Sequence, residues 1–170
     1  MSHIFTGRYT AQTDKPFVLF LIGMRINKLW QFNKWWSVAK EMPPMLRTLA
    51  EHPEKGMLGG YNSLNWPTIV QVQYWRSFED LEHFARNPDD PHAAAWQRFY
   101  KQVGKDDAVG IWHETYTINP GQYECIYANM PQFGLGSVFE HRPVAGRMAT
   151  ARQRKESSRT DAKETVGIGR

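Results

Sequence analysis

The feature that most limits how this chain can fold is the apolar run FVLFLIGM, from Phe17 to Met24. Pro16 precedes the run and Arg25 follows it, so the run is too short for a buried helix of ordinary length. It predicts a central β-strand that is buried on both faces. Because helices on one side cover only one face of a sheet, the other face also needs an apolar cover.

The segments that follow alternate between helical and extended patterns. Apolar residues from Trp30 to Ala50 recur every three or four positions, which predicts an amphipathic helix interrupted at Pro43 and Pro44. KGMLGGYNSLNWP predicts a short strand and a turn. Alternate positions of TIVQVQYW form two faces, one apolar and one that combines glutamines with apolar residues. This pattern predicts a half-polar strand.

Capping residues predict where two further helices begin. Ser77, with Asp80 three residues later, has the spacing of a capping box. Asp90 followed by Pro91 is typical of an N-cap and a first helical position. The second of these helices is expected to bury four residues: Trp96, Phe99, Tyr100 and Val103.

The last regular segment predicts a strand from about Val109 to Ile118, a turn at NPGQ, and an extended piece through Tyr127. The order β, α, β, β, α, β is that of an α+β, ferredoxin-like sheet with both long helices on one face. Its open face would expose the first strand in a monomer. Burying four of its side chains stabilises by about 6 to 12 kcal/mol, so we expect a homodimer with sheet packed on sheet.

Charge and composition separate the body of the chain from its end. The chain of 170 residues has a formal charge of +4, but eight Lys or Arg and only three Asp or Glu lie between His141 and Arg170, so residues 1–140 are nearly neutral. We therefore expect no nucleic acid partner and no membrane partner. The end has no aromatic residue and predicts a basic, disordered tail. The expected division is an N-terminal arm (1–15), one domain (16–139) and this tail (140–170).

Other composition signals exclude several classes of site. A lone cysteine, Cys125, excludes an internal disulfide and a CxxC zinc site, and it favours a cytoplasmic location. The N-terminus has no signal-peptide pattern, and an apolar run of eight residues is short against the roughly 20 of a membrane span. No HExxH, P-loop or G-x-G-x-x-G pattern is present, so no metal ion and no nucleotide cofactor is expected.

A set of local motifs resembles one known family. The motifs are FLIGMRINKLW, KWW, MPPML, LGGYNS, QYWRSFEDLEHFARN, HAAAWQRFYK, VGIWHETY and YECIYANMPQFGLG, spread over Phe17–Val138. Together they resemble monooxygenase-like proteins of the dimeric α+β barrel superfamily, which are related to antibiotic-biosynthesis monooxygenases. The resemblance implies a ferredoxin-like protomer that dimerises through its sheet. Because the superfamily also contains haem-binding enzymes and proteins without chemistry, the resemblance implies the fold more closely than the reaction.

His113 and Glu114 stand side by side in VGIWHETY and are the candidate acid and base. Alternation along a strand turns neighbours to opposite faces, so the two side chains are expected to point apart. His113 has the chemistry of a proton shuttle or ligand, and the alternative is a structural histidine within the sheet or an interface.

Glu114 lies between two aromatic residues in the pattern. Desolvation there would make its carboxylate a stronger base. The alternative is a buried ion pair with Arg25 or Arg76. Arg25 ends the apolar strand, and we expect its guanidinium to hold an anionic substrate or enolate.

Aromatic residues are the candidate walls of a substrate pocket, with ordinary core packing as the alternative for most of them. The candidates are Trp35, Trp36, Trp66, Tyr74, Trp75, Trp96, Trp112 and Tyr116.

Three hypotheses for the function follow. The leading one is a cofactor-independent oxygenase that deprotonates a hydrophobic aromatic or polyketide-like molecule, with Glu114 or His113 as the base and Arg25 beside the resulting anion. The second is a haem-binding enzyme with His113 as the axial ligand. The third is a non-catalytic protein that binds a hydrophobic small molecule.

Overall fold

A computed structural model describes residues 2–89, 97–99, 101 and 106–167 of the chain. The chain divides into two compact units, one formed by Met1–Phe17 with Thr117–Arg170 and the other by Val18–Tyr116. Its strands are β1 (Phe5–Gln12), β2 (Phe17–Ile26), β3 (Met57–Asn65), β4 (Thr68–Trp75), β5 (Val109–Ile118), β6 (Tyr127–Met130) and β7 (Glu140–Pro143). Its helices are α1 (Phe32–Ala39), α2 (Met42–Glu51), α3 (Phe78–Arg86) and α4 (Ala151–Gly167).

The Val18–Tyr116 unit contains a four-stranded sheet in the order β3-β4-β2-β5. The apolar run forms β2, which lies inside the sheet as predicted. β2 and β4 are antiparallel, with Val18 opposite Trp75 at one end and Arg25 opposite Thr68 at the other. This strand order, with helices between the strands, confirms the predicted α+β, ferredoxin-like fold.

The helices of this unit begin and end largely where local signals predict. The interruption after α1 falls at residues 40 and 41, and both prolines lie in the first turn of α2, where backbone N–H groups have no helical partner. Ser77 caps α3, and its Oγ accepts a hydrogen bond from the backbone N of Asp80 at 3.1 Å. Most of the helix predicted from Asp90 lies outside the described residues, although residues 97–99 and 101 are helical.

The core of this unit lies between the sheet and the helices. Its buried members are Val18, Met45, Leu49, Trp75, Leu81 and Phe84. The strands β2 and β4 supply one side of this cluster, and α2 and α3 supply the other. The predicted amphipathic faces therefore pack on the predicted central strand.

The second unit contains a three-stranded sheet in the order β6-β1-β7. The residues predicted as an N-terminal arm contain β1, and β6 begins at Tyr127, where the extended piece was expected to end. Within residues 140–170, which were predicted as a disordered tail, the structure contains β7 and α4. The domain boundaries at residues 16 and 139 stay a prediction, since compactness does not test independent folding.

Polar contacts hold the first part of α4 in place. Arg154 is only 7% exposed, and its Nε donates to Oε1 of Glu124 at 2.6 Å. The backbone N of Gly121 donates to Oγ of Ser158 at 2.9 Å. Composition could not indicate this order, because the argument for disorder counts only apolar surface. None of the helices in the described ranges is long and apolar enough to cross a membrane.

Candidate functional site

The Val18–Tyr116 unit contains a cavity of about 540 Å³ between its sheet and its helices. That volume is within the range of small-molecule sites. Alternate side chains of three strands form its floor: Phe20, Ile22 and Met24 on β2, Ile69, Gln71, Gln73 and Trp75 on β4, and Ile111, His113 and Thr115 on β5. The helix side of the sheet therefore carries the candidate site.

His113 and Glu114 lie on opposite faces of β5, as the alternation predicts. His113 lines the cavity, and its ring centroid lies 5.7 Å from that of Phe20. Glu114 is exposed and outside the cavity lining, so the expected desolvation of its carboxylate is not found. Its Oε2 accepts a hydrogen bond from the hydroxyl of Tyr116 at 2.5 Å, and this bond raises the pKa of Tyr116.

Arg25 shares the face of Glu114 and not that of His113. Its side chain is exposed. Gly110 is on the same face of β5 as Glu114, and a Cβ placed at Gly110 would lie 3.9 Å from the Cβ of Arg25. The structure therefore does not bring Arg25 and His113 together. The other arginine considered for an ion pair with Glu114, Arg76, pairs with Asp80 at 2.8 Å.

Most of the aromatic candidates do not line the cavity. Trp75 is the one that does so among the described residues. Trp112 and Tyr116 are on the opposite face of β5, while Trp36 and Trp66 are more than half exposed. Trp35 and Tyr74 also lie outside the lining. Trp96 is outside the described residues. The aromatic walls are instead phenylalanines, namely Phe20, Phe78, Phe84 and Phe99.

A row of polar side chains crosses the floor and was not predicted as part of a site. Nε1 of Trp75 donates to Oε1 of Gln73 at 2.8 Å, and Nε2 of Gln73 donates to Oε1 of Gln71 at 2.5 Å. Nε2 of Gln71 then donates to Oδ1 of Asn62 at 3.1 Å. The alternation in TIVQVQYW already put both glutamines beside Trp75 on one face. Only the structure shows that this half-polar face points inward.

The other charged residues of the lining are paired. Arg98 contacts Glu41 at 2.6 Å, and Arg86 contacts Glu82 at 2.9 Å. His113 makes no hydrogen bond or ion pair with any residue that the structure describes. It is therefore the one titratable group of the described lining that remains available to a ligand.

The sequence profile of the monooxygenase af470-like family matches residues 17–135, which is more than half of the chain. The chain belongs to this family. The membership confirms the resemblance that the local motifs indicated. A search of curated proteins gave no match.

Solved structures share the fold of this monooxygenase af470-like protein at low sequence identity. An aldoxime dehydratase has a TM-score of 0.59 at 14% identity, over 81% of this chain and 44% of that chain. An aldoxime dehydratase in complex with butyraldoxime has a TM-score of 0.54 at 14% identity, over 91% of this chain and 44% of that chain. A cofactor-independent oxygenase from Streptomyces nogalater has a TM-score of 0.41 at 13% identity, over 61% of this chain and 93% of that chain. The chain spans less than half the length of the aldoxime dehydratase chains.

The cavity of this monooxygenase af470-like protein has the donor set for one axial contact to a haem. Among the described lining residues, His113 alone carries an imidazole, and it faces a space whose walls are mostly apolar. Imidazole is a common axial ligand of haem iron, and apolar walls suit a porphyrin. In the described part of the chain, no three His, Cys, Asp or Glu side chains come together in a way that could hold a metal ion.

Proposed function

We propose that this protein is a monooxygenase-like oxidoreductase that oxidises a hydrophobic aromatic or polyketide-like molecule with dioxygen and without a cofactor. One observation carries the proposal: His113 faces a cavity of about 540 Å³ whose walls are mostly apolar and whose other charged residues are ion-paired. Membership in a monooxygenase-like family supports the reaction class.

In this scheme His113 acts as the base. A neutral imidazole nitrogen takes the proton of an acidic phenol or enol, and the resulting electron-rich anion reacts with dioxygen. Where the enol forms from a ketone with an acidic CH2 group, dioxygen bonds to that carbon, one oxygen atom becomes a new carbonyl group, and the other leaves as water with the two CH2 hydrogens. The substrate supplies all four electrons, so no external reductant is needed. The phenylalanine walls give the anion mostly apolar surroundings.

In this proposal the three residues that were candidates for catalysis have different parts. His113 remains the candidate base because it alone of the three lines the cavity. Glu114 and Arg25, which are exposed on the opposite face, take no part in this scheme. The tasks of base and anion stabiliser therefore fall to residues on the helix side of the sheet.

We also propose a cytoplasmic homodimer formed by packing sheet on sheet, as in a dimeric α+β barrel. The opposite face of β5 carries Tyr116, which is 47% exposed, beside the exposed Glu114. A partner sheet would cover such a face. The free thiol of Cys125 suits a reducing compartment. Analytical ultracentrifugation tests the dimer, and a monomer across the concentration range would contradict it.

The test of the base is oxygen uptake with anthrone as the probe substrate, followed by analysis of the product. His113→Gln keeps a polar side chain but loses the base, and we expect its kcat/KM to fall by about 10²- to 10⁴-fold. Glu114→Gln is the matched control on the other face of the same strand, and we expect it to stay within about twofold of the parent protein. Loss of uptake in Glu114→Gln with full uptake in His113→Gln would reverse the assignment.

The position of His113 also favours a second candidate, a haem-binding enzyme. A bound haem would supply a redox-active iron, and His113 would hold it from the floor of the cavity. The test is a haemin titration followed by absorption spectroscopy, with His113→Ala alongside. A saturable Soret band that this variant shifts would support haem. If there is neither haem binding nor oxygen uptake across a panel of phenols and polyenes, the remaining function is the binding of a hydrophobic small molecule.

A further inference from the structure

The polar row on the cavity floor is continuous, and three of its four members are buried while Asn62 is exposed. Gln71 and Gln73 are each 5% exposed, and Trp75 is 1% exposed. The row runs from Trp75 through the two glutamines to Asn62 on the neighbouring strand, where Asn62 stands opposite Gln71. An apolar cavity does not need such a row, because burying amide groups is unfavourable unless they are hydrogen-bonded. The row therefore calls for an explanation beyond packing.

The indole of Trp75 sets the direction of every bond in the row. Indole N–H only donates, so the side-chain oxygen of Gln73 must face Trp75. The nitrogen of Gln73 then faces the oxygen of Gln71, and the nitrogen of Gln71 faces Asn62. Neither glutamine can turn its amide over without placing two like groups against each other.

Each side-chain amide nitrogen carries two hydrogens, and the row uses one of them. Among the described residues, Nε2 of Gln71 and Nε2 of Gln73 each make a single hydrogen bond. The oxygens of both glutamines already accept a bond within the row. What the row has left to offer a ligand therefore includes one N–H donor on each glutamine, and both donors lie on the same face of one strand.

We infer that this row selects ligands that carry carbonyl or phenolate oxygens along one edge of a flat, otherwise apolar ring system. The inference deepens the proposed function and rests on it, because the same cavity would hold the anion that His113 produces. N–H donors held in a dry site stabilise negative charge on oxygen.

The test is equilibrium binding under anaerobic conditions with 9-fluorenone and fluorene, which have the same tricyclic shape and differ by one carbonyl group. A purely apolar cavity prefers fluorene, because the ketone loses its hydrogen bonds to water on entry. We expect the protein to prefer the ketone by about 5- to 10-fold, which is the usual effect of one hydrogen bond. Calorimetry or tryptophan fluorescence measures both dissociation constants.

The variants Gln71→Leu and Gln73→Leu remove the donors and keep the volume close to that of the parent residue. We expect each variant to lose part of the preference, and the double variant to prefer fluorene. Trp75→Phe removes the group that sets the direction, and we expect the preference to shrink while the glutamines remain. Gln122→Leu, at an exposed glutamine outside the cavity lining, is the matched control and should keep the preference.

Two results would overturn the inference: a parent protein that prefers fluorene, or a preference for the ketone that survives in the double variant. Circular dichroism checks that each variant folds, and Gln71→Met provides a second, flexible replacement if a leucine variant does not. The assay contains no dioxygen and keeps His113 in place. A wrong assignment of His113 as the base and a wrong assignment of the polar row as the contact for ligand oxygen atoms therefore give different results.

Discussion

Gly23 allows the indole of Trp112 to lie across β2, and the structure predicts what a single methyl group would do there. A Cβ built at Gly23 would lie 2.6 Å from Nε1 and 2.8 Å from Cε2 of Trp112. Both contacts are well inside van der Waals distance, and Gly23 is buried. In Gly23→Ala the indole must therefore move.

Two opposing effects determine the size of the change. Alanine in a strand interior is more favourable than glycine by about 0.5 to 1 kcal/mol. Overpacking against a side chain that has to shift is unfavourable by about 1 to 3 kcal/mol. We therefore expect Gly23→Ala to lower the free energy of unfolding by about 0 to 2.5 kcal/mol.

A double-mutant cycle with Trp112→Ala isolates the contact. Without the indole, Gly23→Ala should be less destabilising than in the parent background by about 1 to 3 kcal/mol, because the overpacking against the indole is gone. The remaining close contact, 3.1 Å to the carbonyl oxygen of Ile69, is the same in both backgrounds and cancels from the cycle. Urea unfolding of the four proteins measures the cycle. Equal effects of Gly23→Ala in both backgrounds would refute the reasoning.

Two further predictions concern the other unit. Arg154→Met leaves the Glu124 carboxylate without its buried partner and should lower the free energy of unfolding by about 2 to 3 kcal/mol, whereas the exposed Arg152→Met should change it little. Thermal unfolding of both variants compares them, and equal midpoints would contradict the anchoring of α4. His141 has both ring nitrogens buried without partners among the described residues, and burial lowers its pKa below the usual 6.5. Because the unfolded state then binds more protons than the folded state as the pH falls below 6.5, the stability of the parent protein decreases in acid. The free energy of unfolding of His141→Phe, measured in urea, should therefore rise relative to that of the parent protein as the pH falls from about 8 to about 5. A constant difference across that range would contradict this.

Local signals predicted the Val18–Tyr116 unit well because its elements are decided by neighbours in the sequence. The strand at Phe17–Met24 and the cap at Ser77 each need only a few adjacent residues to be recognised. The other unit was missed because its order depends on distant partners. The contacts of α4 with Glu124 and Gly121 join residues about 30 or more positions apart, and composition contains no sign of them.

The candidate site was predicted in part for a related reason. The period of two along β5 separates His113 from Glu114, but the same period leaves open which face meets the helices. That choice depends on how the sheet packs, and it excluded Arg25 and most of the aromatic candidates at once. The polar row was overlooked because glutamines in a half-polar strand usually face water.

The place of β1 in its sheet has a consequence for synthesis on the ribosome. β1 lies between β6 and β7, and Phe5 pairs with Met130. At roughly 5 to 20 residues per second, β1 emerges some 6 to 25 seconds before its first partner strand. During that time both of its edges are unpaired, and such edges readily join other chains. All the residues of the Val18–Tyr116 unit are made in this interval, so the nascent chain can complete its cavity before the partners of β1 exist. Until then, chaperones or fast translation would have to keep β1 from associating with other chains.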